Sequence, residues 1–71
     1  MKTDTTTLLF PTRLKELREK RHLTRTTLGE LCGIGKNAIG QYERQEKTPS
    51  LKTLMILADY FQVSLDYLVG R

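Results

Sequence analysis

Apolar residues recur along this chain at the three-to-four-residue spacing of helices, and short polar or glycine-bearing turns interrupt the rhythm. The rhythm begins after Pro11. Leu14, Leu17, Arg18 and Arg21 share one face of a helix expected from about Thr12 to Arg21. Thr24 follows as the N-cap of a second helix, with Leu23 and Leu28 placed as a hydrophobic staple around it. Leu28, Leu31 and Cys32 form its expected buried stripe, and Gly33 supplies the left-handed residue that ends it. Ile34 and Gly35 then lead into a third helix, about residues 36–44. Ser50, after Pro49, caps a fourth that presents Leu51, Leu54, Met55, Leu57, Ala58 and Phe61. Val63, Ser64 and Leu68 repeat the staple and cap for a short fifth helix. No stretch sustains strand alternation, so the expected fold class is all-α, a compact five-helix bundle over residues 12–71. Residues 1–11 are Thr-rich and read as a flexible N-terminal tail, although Leu8, Leu9 and Phe10 are apolar enough to pack on the domain or on a second subunit.

Composition narrows the chemistry. Seventy-one residues hold one small core. Cys32 is the only cysteine and His22 the only histidine, which excludes an intramolecular disulfide and leaves no ligand set for a metal; no cofactor is expected. Carboxylate pairs and glycine-rich phosphate loops are missing from the sequence, so neither an enzyme nor a small-molecule ligand is expected. With no apolar run of membrane length and no signal peptide, the expected setting is the reducing cytoplasm, with no membrane partner. The net charge is +4, and the whole excess falls between residues 11 and 48. A basic stretch of that kind steers an anionic partner.

That stretch contains two short helices joined by Gly33-Ile34-Gly35, the layout of a helix-turn-helix. The third helix divides into an arc of Ala38, Ile39 and Tyr42 for the core and a polar arc of Lys36, Asn37, Gly40, Gln41 and Arg44. Gln and Asn amides can pair bidentately with adenine, and Lys can donate to guanine. Gly40 costs about 1 kcal/mol relative to Ala in mid-helix; close approach of the helix to DNA is one reason to keep it, and accident is another. Arg25 and Lys36 stand in first turns, where the helix dipole prefers negative charge by roughly 0.3–1 kcal/mol. A phosphate shared between each cation and the helix amides would account for them.

Taken together, RLKELREKR, the LT that opens helix two, Gly33, Ile39 with Tyr42-Glu43-Arg44, PSLKTL, LAD and VSLDYL make the chain resemble the Cro/phage-repressor class of helix-turn-helix domain, also called xenobiotic-response-element-like. The resemblance covers about residues 12–70. It implies a lambda-repressor-like bundle with helix three in the major groove of double-stranded DNA, acting as a homodimer on a palindromic operator in a transcriptional regulator, most often a repressor. Lys36, Asn37 and Gln41 are then the expected base-reading residues. Thr24, Arg25, Arg44, Lys47, Thr48 and Arg13 are the expected phosphate contacts. Arg18, on the inward face of helix one, needs a partner, and the family pattern offers Glu43; a structural ion pair should bring them within about 6 Å. Two positions depart from the family. Arg25 replaces the usual Gln, which favours phosphate, and Gln45 replaces a frequent Gly in the loop after helix three. Tyr67, Val69 and the end of helix five are the expected dimer surface, with the apolar tail as alternative. The rival function is a protein-interaction module on the same fold, an adaptor or an antitoxin-like partner binder.

Overall fold

The structure is a computed structural model that describes residues 9–70. Its order is α1 (Phe10–Lys20), α2 (Arg25–Cys32), α3 (Ala38–Glu43), α4 (Leu51–Phe61) and α5 (Leu65–Val69), with no strand among the described residues. This is an all-α bundle of five helices among the described residues. Three helices begin on hydroxyl caps: Thr24, Ser50 and Ser64 hold extended backbone and accept from the amides of Thr27, Thr53 and Tyr67 at 3.0, 3.1 and 2.9 Å. Gly33 closes α2 in the left-handed region at φ 69°, and the Ile34 amide donates to the Gly29 carbonyl at 2.7 Å. His22, Gln45 and Gln62 take the same left-handed conformation after α1, α3 and α4, at φ 58°, 62° and 58°.

The core joins Phe10 and Leu14 of α1, Leu28 of α2, Ile39 and Tyr42 of α3, Leu57 and Phe61 of α4, and Leu68 of α5. Each large side chain buried there contributes about 1.5–3 kcal/mol relative to exposure. α1 packs on α3 and α5, α2 on α3 and α4, and α4 on α5, so the two helices of the motif pack on each other and each is also braced by another helix.

Several boundaries and faces differ from the sequence expectation. α1 starts at Phe10 and not at Thr12, because Pro11 falls in the first turn, where its missing N–H is harmless and its fixed φ suits a helix. Phe10 is 1% exposed and meets the Tyr42 ring edge-on at 5.7 Å, so the folded part reaches further back than residue 12. Residues 1–8 of the expected tail, Leu8 included, lie outside the described residues. In α2, Gly29 is buried beside Leu28, whereas Leu31 is 57% exposed and Cys32 is partly buried. The reason is close packing: a β-carbon on Gly29 would stand 2.9 Å from the Ile34 carbonyl oxygen and 3.3 Å from that of Gly35. Leu51 and Met55 of α4 are 65% and 53% exposed, since the apolar face of that helix is wider than the core it covers. Val69 is buried and not on the surface, which leaves Tyr67 as the exposed member of the expected dimer pair.

Candidate nucleic-acid interface

The motif is set in place by one carboxylate. Glu43, at the end of α3, has a side chain only 3% exposed. Its Oε2 accepts from Arg18 Nε at 2.7 Å, and its Oε1 accepts from both Arg18 Nη2 at 3.1 Å and Arg25 Nε at 3.0 Å. Arg18 Nη1 donates to the Leu23 carbonyl at 2.8 Å. Helices α1, α2 and α3 are thereby pinned to a single group. The hydrogen bond that Arg18 donates to Glu43 holds its guanidinium above the ordinary pKa, against the opposing pull of desolvation. Among the described residues no buried side-chain polar atom lacks a hydrogen-bond partner.

Above this bridge, the N-terminus of α2 and the outer side of α3 enclose a polar concavity. Thr24, Arg25, Lys36, Asn37, Gly40 and Arg44 line it together. Lys36 and Asn37 belong to the turn before α3, not to its first turn as expected. The Ala38 amide bonds back to the Gly35 carbonyl, and the first full helical bond is Gln41 to Asn37. The Lys36 cation therefore does not oppose the dipole from within the helix. Arg25 opens α2 with a side chain 47% exposed, tethered to Glu43 by Nε. Arg44, just past α3, is held by Glu46 through Nε at 2.8 Å and Nη2 at 3.3 Å. That contact raises the Arg44 pKa and lowers that of Glu46 below the ordinary glutamate range.

Gly40 is buried for an unexpected reason. A β-carbon there would lie 2.9 Å from Arg44 Nη1 and 3.3 Å from Arg25 Cδ, so two long cationic side chains cover the position. Gln41 is half-buried on α3, Lys47 and Thr48 are exposed on the following segment, and none of the three lines the concavity. The structure does not bring Arg13 to the group. Its guanidinium stacks 4.2 Å above the Tyr67 ring and donates to the Tyr67 carbonyl at 2.7 Å, joining α1 to α5. Sequence reasoning missed two residues that shape the site. Gly29 lets the turn backbone close on α2, and its position in mid-helix carried the same signal that marked Gly40. Arg21 donates to the Tyr60 and Phe61 carbonyls at 3.4 Å while packing against both rings, which caps α4; its place on the Leu14, Leu17 and Arg18 face was the signal, without the partner. No cluster of three or more potential metal ligands occurs among the described residues, and no helix there is long and apolar enough to cross a membrane.

Two short helices crossing at a glycine turn, with a cation-lined outer face, define a helix-turn-helix domain of the lambda-repressor-like type. The chain belongs to the helix-turn-helix family HTH_3, whose model matches residues 14–68. It is 42% identical over 62 residues to the uncharacterized HTH-type transcriptional regulator YobD of Bacillus subtilis, covering 87% of this chain and 55% of that protein. It is 35% identical over 63 residues to repressor protein C2 of Salmonella phage P22, covering 89% of this chain and 29% of that one. The chain thus spans about half the length of the first relative and under a third of the second. Among solved structures, the P22 c2 repressor in complex with synthetic operator 9T superposes with TM-score 0.77 at 34% identity, over 83% of this chain and 89% of that one. The restriction-modification controller protein C.AhdI from Aeromonas hydrophila also gives TM-score 0.77, at 31% identity, over 92% and 96% of the two chains.

Proposed function

We propose that this domain binds double-stranded DNA sequence-specifically, as the DNA-binding part of a cytoplasmic transcriptional regulator, most simply a repressor. The observation that carries the reading is the convergence of Thr24, Arg25, Lys36, Asn37 and Arg44 on one concave face of α2 and α3. The likeness to P22 c2 repressor, solved with an operator, supports it. Lys36, Asn37 and Gln41 read bases from the start and side of α3. Arg25, Arg44, Lys47 and Thr48 contact phosphates, with Thr24 at the α2 terminus. Because one six-residue helix spans few base pairs, two copies act together on a palindromic site.

Selection of bound duplexes from random DNA tests this, followed by titration of the winner at several salt concentrations. A symmetric site should emerge. Gln41→Ala should relax preference at one position of each half-site, by about 1–3 kcal/mol against the preferred base. Enrichment of no sequence, together with no binding at low salt, would remove the proposal.

A further inference from the structure

Gly40 lies in the middle of the outward arc of α3, in the same row as Lys36 and Arg44, and it contributes no side chain of its own. The space is filled from outside. Arg25 arrives from α2 and Arg44 from the residue after α3, and both come within 3.3 Å of the one point where a β-carbon would be. Both cations stand in one concavity, and each is held by a carboxylate on one edge: Glu43 takes Arg25 Nε, and Glu46 takes Arg44 Nε and Nη2. Among the described residues neither Nη of Arg25, nor Nη1 of Arg44, donates to a protein acceptor. The Arg44 guanidinium and the methylene stem of Arg25 thus cover the glycine, and both side chains line the concavity that carries Lys36 and Asn37.

We propose that Gly40 is a positioning residue for a composite site in which Arg25 and Arg44 together grip one DNA group with two adjacent acceptors. The phosphate non-bridging oxygens and the guanine O6/N7 edge both have that form, and a guanidinium fork matches either. The inference rests on the DNA-binding reading and deepens it: the two arginines act as one site and not as separate backbone contacts. Glu43 then has a second task, to orient Arg25 while it neutralises Arg18.

The test uses the whole chain and the duplex selected from random DNA, with affinity read by fluorescence anisotropy. Gly40→Ala keeps every charge and favours the helix, so its urea midpoint should match or exceed the parent's. Its affinity should nevertheless fall about tenfold, and Gly40→Leu should fall further. Arg25→Ala and Arg44→Ala should each weaken binding, and the double variant should be little weaker than the worse single one. A methylphosphonate at one backbone position that erases the difference between parent and Arg25→Ala identifies the ligand as phosphate. A changed base pair that erases it identifies guanine. The composite site is overturned if Gly40→Ala binds like the parent, if the arginine effects multiply independently, or if no single DNA position erases them. A parent chain that binds no duplex removes the DNA-binding reading itself, and this site with it.

Discussion

Glu43→Gln isolates what the carboxylate bridge contributes. The change keeps the shape of the side chain and one acceptor oxygen, but it takes from the buried Arg18 guanidinium its one buried counter-charge. Arg18 cannot escape by losing its proton, because guanidinium is charged throughout the accessible pH range. Removing one member of a buried pair costs about 3–5 kcal/mol. Arg18 keeps the Leu23 carbonyl at 2.8 Å and the exposed Glu19 carboxylate at 3.8 Å, so the lower end applies, about 3 kcal/mol. At about 4–8 °C per kcal/mol for a domain of this size, the midpoint of thermal unfolding should drop by about 12–24 °C. Urea titration followed by circular dichroism at the helix band measures the loss directly. Arg25→Ala breaks the other arm of the bridge, but Arg25 is half-exposed, and its loss should cost less than about 1 kcal/mol. Replacing both buried partners, as Arg18→Met with Glu43→Leu, should bring stability back to within about 1 kcal/mol of the parent. A Glu43→Gln cost under about 1 kcal/mol, or one no larger than that of Arg25→Ala, would refute the assignment of Arg18 and Glu43 as the tie between α1 and α3.

Gly29→Ala should destabilise by about 1–3 kcal/mol in the same urea assay, since its β-carbon would press on the Ile34 carbonyl, which is rigid backbone; an unchanged midpoint would contradict the packing. Gln45→Gly should stabilise by about 0.5–1 kcal/mol, because relief of the left-handed strain of about 1–2 kcal/mol exceeds the entropy glycine adds to the unfolded chain. The Glu46 carboxyl should titrate below the ordinary glutamate range, chiefly through its hydrogen bond from Arg44, and NMR of the side-chain carbon should show it returning upward in Arg44→Ala. With a lowered pKa, the pair's stabilisation is complete above the ordinary glutamate value and fades as pH falls through the lowered one.

The helices and caps were legible because their signals are local. Thr24, Ser50 and Ser64 cap by their own hydroxyls, and Gly33 ends α2 by its own left-handed backbone. What escaped the sequence was anything set by a neighbour. Whether Leu31 or Gly29 faces inward depends on where the turn backbone crosses α2. Phe10 was legible as an apolar residue that could pack on the domain or on a second subunit, and what decides for the domain is the Tyr42 ring across the bundle. The outward arc of α3 could be read from periodicity, but the arrival of Arg25 and Arg44 over Gly40 joins three positions from different elements, and no local pattern encodes it.

α3 has six residues, four of which are buried. A helix that short has no standing of its own in water, where isolated helices below about 12–15 residues are marginal. A synthetic peptide of the motif would therefore be a poor substitute for the domain, and a fusion that truncates the chain through Phe10 would damage the reading head from the far side of the bundle. The same division also makes the head interchangeable. Lys36 and Asn37, the base-reading positions of the proposed function, lie outside the core, so a library varied at those two positions should sample new DNA preferences while the scaffold beneath stays fixed.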